Sequence, residues 1–361
     1  MKQKKLIIFM PSIEAGGAEK NFFIISNFLS RHFDKVYLIT AEKNLSKKLN
    51  DIETIYPKSN YWRNKGRFKK YLICIYFLIK LLIKNKKIIV FSFQANLYAI
   101  LTSKIFGTKV VSRSNSSPSG WSKNFIKNLI YKIILNFADV VIVNSKEFKK
   151  EIKKKFIVNP VHIYNPLNKN EILKLSEKKT ENLYPKNTLK IINVGRLVDQ
   201  KDQLTLLRAI NSIKNSIKLK LVIIGRGKNK QILKKYIKLN KISNLVKIFY
   251  TSNPFPYIKQ ADVFILSSVF EGLPNVLLEA ITLKKFVISS SCPTGPKEIL
   301  DNEKGGFLYK PGDYQNLAKK IMKYNENKNL LKKKITYAQS RLCRFGKNRN
   351  LKKYLNILNS I

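Results

Sequence analysis

Residues 263–282 constrain this chain more than any other stretch. Val263 to Leu266 is a short apolar run that reads as a fully buried strand. Ser267-Ser268-Val269-Phe270-Glu271-Gly272-Leu273 follows as a loop, and Pro274 marks a helix from Asn275 onward. A proline near a helix start gives up an N–H that the helix does not use. Glu271 then lies between strand and helix, and Glu279 about one turn into the helix. In an open α/β sheet such loops sit at the carboxyl ends of strands, where ligands bind. The helix N-terminus favours an anion, and the carboxylates need hydroxyl or cationic partners. A ligand with both hydroxyls and phosphates, such as a sugar nucleotide, meets both demands.

With seven residues between Glu271 and Glu279, in the setting Glu-Gly-Leu-Pro-Asn-Val-Leu-Leu-Glu-Ala, the stretch resembles the E-x7-E motif of retaining glycosyltransferases of family four. The resemblance covers nearly the whole chain. It implies a GT-B architecture: two Rossmann-like α/β domains with parallel sheets facing a central cleft. It also implies an N-terminal acceptor-binding domain over 1–168, a linker over 169–187 and a donor-nucleotide-binding domain over 188–340. A final helix within 341–361 would cross back to the first domain.

The rest of the chain alternates in the way a parallel sheet requires. Apolar runs at Lys5–Met10, Val36–Ile39, Ile88–Phe93, Val110–Val111, Val140–Val143 and His162–Ile163 read as strands of a first domain. Leu189–Val194, Leu219–Ile224, Val246–Phe249, Val263–Leu266 and Phe286–Ser290 read as strands of a second. Helical segments such as 95–106 and 124–136 lie between strands, and the polar, lysine-rich stretch from Leu167 to Thr188 reads as the linker with a short helix. The length of 361 residues suits two domains, each with its own core.

Three cysteines, Cys74, Cys292 and Cys343, are widely separated and form no CxxC pair; His32 and His162 are equally far apart. Neither a disulfide framework nor a zinc site is expected, which fits a reducing cytoplasm. No signal peptide is expected, because the apolar run from Leu6 stops at Pro11. The net charge of +48 is unevenly spread, with no acidic residue between Glu53 and Asp139. Arg63, Lys65, Arg67, Lys69 and Lys70 lead into an apolar run from Tyr71. The apolar part reads as a core helix, and its basic end as a contact for an anionic acceptor or membrane surface.

Transfer from a sugar nucleotide leaves a diphosphate whose charge needs stabilising. No Asp-x-Asp pair is present to hold a metal for this. Fixed cations do the same work. Arg196 and Lys201 follow Gly195 by one and six residues, just beyond a strand end, and match the family's G-R-x4-K diphosphate site. Arginine offers a planar fork and lysine a mobile point charge. The resemblance makes Glu279 the partner of the ribose hydroxyls and turns Glu271 to the donor sugar or phosphates. Gly272 and Leu273, with Pro274 and Asn275, complete the donor loop. Gly16-Gly17 and Gly225 are the other expected donor contacts. The loop 294–298 either touches the sugar or is a structural turn. Where family members often carry a histidine, this chain has Ser112-Arg113-Ser114-Asn115-Ser116. Arg113 and Asn115 there either bind acceptor or phosphate or cap the loop.

The expectation is a metal-independent retaining hexosyl- or N-acetylhexosaminyltransferase. Its donor would be UDP-linked and its acceptor a lipid-linked glycan or lipopolysaccharide. It would be cytoplasmic, peripheral on the cytoplasmic face of the inner membrane. The high charge with interleaved aromatics also fits a nucleic-acid binder, though no nucleic-acid signature appears. A nicotinamide-binding enzyme would need a G-x-G-x-x-G after the first strand, and none is there.

Overall fold

The computed structural model describes residues 4–13, 17–43, 49–62, 65–85, 87–115, 125–156 and 158–361. They divide into two compact units, Met1–Pro166 with Lys347–Ile361, and Leu167–Gly346.

In the first unit, β1 (Lys5–Phe9), β2 (Lys35–Ile39), β3 (Glu53–Ile55), β4 (Ile88–Ser92), β5 (Lys109–Ser114), β6 (Val140–Val143) and β7 (Val161–His162) form a parallel sheet in the order β3-β2-β1-β4-β5-β6-β7. The helices of this part are α1 (Gly17–Leu29), α2 (Arg67–Lys84), α3 (Asn96–Ile105), α4 (Phe125–Asn136) and α5 (Lys146–Lys155). β1 shows why the unit is layered. Successive strand residues point to opposite faces, and both faces of Leu6-Ile7-Ile8-Phe9 are buried. Leu6 and Ile8 pack with Phe22, Ile25 and Leu29 of α1. Ile7 and Phe9 pack with Cys74, Leu78 and Leu82 of α2, Ala99 and Ile100 of α3, and Leu135 of α4.

The second unit carries α6 (Lys169–Ser176), β8 (Leu189–Val194), α7 (Gln203–Ile213), β9 (Leu219–Ile224), α8 (Lys230–Leu239), β10 (Val246–Phe249), α9 (Phe255–Gln260), β11 (Val263–Leu266), α10 (Asn275–Thr282), β12 (Phe286–Ser290), α11 (Pro296–Leu300), β13 (Phe307–Tyr309), α12 (Tyr314–Glu326) and α13 (Lys332–Ser340). Its sheet is parallel throughout, in the order β10-β9-β8-β11-β12-β13. Leu207 and Ile210 of α7, Leu233 of α8 and Leu317 of α12 share a core with Ile191, Ile223, Ile265 and Ile288 on one face of the sheet. α9 and α10 pack against the other face.

The unit boundaries differ from those expected. Lys169–Ser176, the short helix expected within the linker stretch, groups with the second unit, and residues 341–346 stay with that unit too. The reason is local: Leu167 N–H donates to Phe345 O at 2.8 Å and bridges Gly346, so outgoing and returning chain run side by side there. β3 and β13 were not anticipated; each is a three-residue edge strand, too short for a periodic signal.

From Lys347 the chain forms α14 (Lys347–Asn359), which packs on α1. Its anchor is Tyr354, fully buried, whose hydroxyl accepts from Arg113 Nε at 2.8 Å. Arg113 is itself fully buried near the end of β5. A buried guanidinium is tolerable only when its N–H groups have acceptors. Its Nη2 donates to Asn165 Oδ1 at 2.8 Å, its Nη1 to Asn115 Oδ1, and its plane lies near the Phe93 and Tyr354 rings. Tyr354→Phe removes one acceptor from a buried charge and should cost about 1.5–3 kcal/mol, read as a lowered urea midpoint with an unchanged slope.

Candidate active site

Both sheets have a switch point where the strand order reverses. In the second unit it lies between β8 and β11, and the two strands pair Ile191 with Val263 and Ile192 with Phe264. The chain leaves β8 through Gly195 and β11 through Ser267, so the two motifs picked out in sequence emerge side by side.

The loop after β8 is shaped by its own residues. Asp199–Lys201 makes a single 3-10 turn, and Asp202 adopts the left-handed conformation with φ of 43°. Aspartate visits that region more readily than most residues because its short side chain bonds locally. Here it caps α7: Oδ1 accepts from Thr205 N–H at 3.2 Å and Oδ2 from the Thr205 hydroxyl at 2.7 Å. That turn fixes Lys201 one residue before the cap. Lys201 Nζ lies 2.5 Å from Glu271 Oε1, with side-chain exposures of 16% and 9%. Ser268 Oγ donates to the same oxygen at 2.6 Å. Two further bonds join the loops: Ser267 Oγ donates to Lys201 O at 2.7 Å, and Gln200 Nε2 to Phe270 O at 2.9 Å. Arg196 is solvent-exposed, and its backbone carbonyl accepts from Gln203 Nε2 at 3.0 Å and from Val198 N–H at 3.1 Å.

The loop after β12 braces the same segment. Glu271 N–H donates to Pro293 O at 2.6 Å, Thr294 N–H to Glu271 O at 3.2 Å, and the Thr294 hydroxyl to Gly272 O at 2.9 Å. Gly295 has φ of 98°, and a Cβ there would lie 2.6 Å from Gly272 O. The loop 294–298 thus forms a turn that braces the Glu271 segment. Gly272, Leu273 and Pro274 are buried, Asn275 is half-buried, and Glu279 is buried on α10.

The loop after β9 closes the group. Gly225 is required because a Cβ there would stand 1.9 Å from Gly195 O. Gly195 N–H donates to Ile224 O at 3.0 Å and Leu197 N–H to Arg226 O at 2.9 Å. Asp199 accepts from Lys228 Nζ and from Asn229 Nδ2, which hold its carboxyl below the usual carboxylate range. The Arg226 guanidinium lies 4.8 Å from the centre of the half-exposed Tyr250 ring.

Glu271, Lys201, Arg196, Gly195 and Gly225 therefore gather at one sheet end. Ser268, Gln200 and Arg226 were missed by sequence reasoning. Ser268 stands three residues before Glu271, Gln200 directly before Lys201 and Arg226 directly after Gly225, so nearness in sequence was the available signal.

In the first unit the switch point lies between β1 and β4. Ser12 N–H there donates to Gln94 Oε1 at 2.8 Å. Gly16 lies outside the described residues; Gly17 is the first residue of α1 and exposed. Arg113 is not a surface contact for acceptor or phosphate, since burial and three neutral oxygens engage it. Asn115 serves the same interior network: its Nδ2 donates to Phe93 O at 3.1 Å, and its backbone O accepts from Asn144 Nδ2 at 3.3 Å. His162 ends the edge strand β7, away from the switch point. Burial, with Lys353, Lys146 and Lys149 nearby, pushes its pKa down to about 4.

Two family models match the chain: "Glycosyltransferase Family 4" over residues 15–171 and "Glycosyl transferases group 1" over residues 174–341. The chain belongs to these glycosyltransferases. An uncharacterized glycosyltransferase of Methanocaldococcus jannaschii is 35% identical over 221 residues, 56% of this chain and 53% of that protein. The match thus spans about half that relative's length. A Campylobacter jejuni enzyme, an N-acetylgalactosamine-N,N'-diacetylbacillosaminyl-diphospho-undecaprenol 4-alpha-N-acetylgalactosaminyltransferase, is 27% identical over 95% of this chain and 96% of its own. Among solved structures, Anabaena HepE in complex with UDP matches with a TM-score of 0.80 at 18% identity, covering 99% of this chain and 100% of that one. The glycosyltransferase has the GT-B fold.

Gly225→Ala tests the close approach of the loops after β8 and β9. It should destabilise the transferase by about 1–3 kcal/mol through overpacking, measured by urea unfolding. Gly312→Ala has open space around its Cβ but a φ of 80°. It should cost stability through backbone strain alone and leave the loop after β8 undisturbed.

Proposed function

We propose that this glycosyltransferase moves a hexosyl or N-acetylhexosaminyl unit from a UDP-linked donor to a lipid-linked glycan or lipopolysaccharide acceptor, with retention at the anomeric carbon. The observation that carries the donor half is the convergence of Arg196, Lys201 and Glu271 at the switch point of the second sheet, with Glu279 close behind on α10. A carboxylate accepts two hydrogen bonds from a vicinal diol, which suits Glu279 to the ribose. Arg196 and Lys201 suit the diphosphate. Lys201 comes to it already oriented by Glu271, so little reorganisation accompanies the build-up of charge. Arg226 over Tyr250 offers a flat cationic surface suited to a nucleobase.

In the proposed step the bond between the anomeric carbon and the diphosphate oxygen breaks, and its electron pair stays with the diphosphate beside Arg196 and Lys201. The acceptor hydroxyl oxygen bonds to the anomeric carbon on the same face, and its proton passes to the departing phosphate oxygen. Fixed cations supply the charge stabilisation, so the step is metal-independent in this reading. The proposed acceptor class draws support from the Campylobacter relative, whose name specifies a diphospho-undecaprenol-linked sugar. The donor class draws support from the UDP bound to HepE. We place the work at the cytoplasmic membrane face, in surface-polysaccharide assembly.

Titration calorimetry with UDP checks the donor assignment. Glu279→Ala should weaken UDP by about ten- to a hundred-fold, the loss of charged hydrogen bonds to the ribose. Arg196→Ala should lower kcat by about 10²–10³-fold with the fold intact, since the side chain is exposed. Unchanged UDP affinity in a folded Glu279→Ala protein removes that role. An inverted anomeric configuration in the product, read by nuclear magnetic resonance, overturns the same-face step.

A further inference from the structure

The helix layer made by α2, α3 and α4 is apolar on both of its faces. α2 turns Cys74, Leu78 and Leu82 into the sheet, yet carries Phe68, Leu72 and Tyr76 exposed on its other side. α3 packs against both α2 and α4, and their outward residues continue the surface. Ile105 is 80% exposed, Ile126 66% and Ile133 52%. Of the 21 large hydrophobic side chains exposed among the described residues, 13 fall between Phe68 and Phe137. Those of the second unit are dispersed along its sequence. Scattered exposed hydrophobics need no explanation, but a concentration of this kind marks a binding surface. The apolar run from Tyr71, expected to be a core helix, is therefore only half accounted for by the core.

Charge identifies the occupant. From Glu53 to Asp139 there are sixteen lysines and arginines and no intervening acid. Arg67, Lys69, Lys80 and Lys84 of α2 are exposed beside the apolar stripe, and Lys80 Nζ sits 4.6 Å from the Tyr76 ring centre. A second copy of this face would set like charges against each other. Nucleic acid would satisfy the cations and leave the isoleucines in water. An anionic bilayer satisfies both, with side chains such as Phe68 and Ile105 at the headgroup–acyl boundary and lysines on lipid phosphates. No helix among the described residues is long and apolar enough to cross a membrane, so contact is with the surface.

We propose that the outer face of α2, α3 and α4 docks this glycosyltransferase on an anionic lipid bilayer. The proposal deepens the reading of a lipid-linked acceptor and rests on it for its purpose. The experiment is co-sedimentation of the full chain with vesicles of phosphatidylcholine alone or mixed with phosphatidylglycerol. Binding is expected to the mixed vesicles and to weaken with salt. Lys69→Glu with Lys80→Glu should lower partitioning by about ten-fold or more, since each cation near the surface is worth about five-fold. Ile105→Glu and Ile133→Glu, introduced separately, should do the same by placing charge in the apolar layer. Urea unfolding and UDP binding without lipid, both unchanged in these variants, show that fold and donor site are intact. A wild type that ignores anionic vesicles, or variants that bind them as well as wild type, overturns the proposal. So does a dimer that Ile133→Glu dissociates, which assigns the face to a second copy. Vesicle binding without UDP binding would sink the donor reading alone, and the converse would sink this one alone.

Discussion

The pairing of β8 with β11 is the constraint on which the site depends. Parallel strands deliver their carboxyl ends to one side of the sheet, and the reversal of strand order leaves room between the loops that follow. Into that space the chain places a lysine and a glutamate that are mostly removed from water. Neither charge is stable there alone, and removing one partner of such a pair costs about 3–5 kcal/mol. Ser268 adds a donor to the same carboxylate oxygen, and the Ser267 and Gln200 side chains bond across to the opposite loop's backbone. The ion pair and the loop geometry thus support each other. A phosphate entering beside Arg196 meets a cation that is already oriented.

A second buried cation organises the other unit, by different means. Among the described residues Arg113 has no carboxylate as a hydrogen-bond partner and is held by the oxygens of Tyr354, Asn115 and Asn165 with two aromatic rings nearby. These reach it from α14, from the end of β5 and from just beyond β7. The guanidinium therefore ties the last helix to the strand ends of the first sheet. The two cations differ in consequence: Lys201 stands at an open strand end, while Arg113 is spent on architecture.

Much of this was legible in the residues. Fully buried parallel strands are continuous apolar runs, and the runs at 5–10, 88–93, 189–194 and 263–266 gave their positions and the fold class. Glu271, Glu279, Arg196 and Lys201 stood out because they match the family's E-x7-E and G-R-x4-K motifs just beyond strand ends, and the structure brings Lys201 and Glu271 into contact. The burial of Arg113 was not legible, because its decisive partner, Tyr354, is 241 residues away. The role of Thr294 and Gly295 was equally hidden, since a bracing turn and a ligand loop share glycine and proline. α2 misled in another way. A helix with one apolar face against a sheet and a second facing outward has the same composition as a core helix, and only the exposure of Phe68, Leu72 and Tyr76 separates the two.

The central claim is that the switch point of the second unit holds a nucleoside diphosphate without help from a metal. The most direct measurement is thermal unfolding of the full chain in EDTA with UDP, and in parallel with GDP, ADP and NAD. A ligand that binds only the folded state raises the midpoint, by an amount that grows with the logarithm of its concentration above Kd. A concentration-dependent rise with UDP in EDTA is the predicted result. No rise with any nucleoside diphosphate in EDTA, or a rise with UDP only when a divalent cation is restored, would contradict the account.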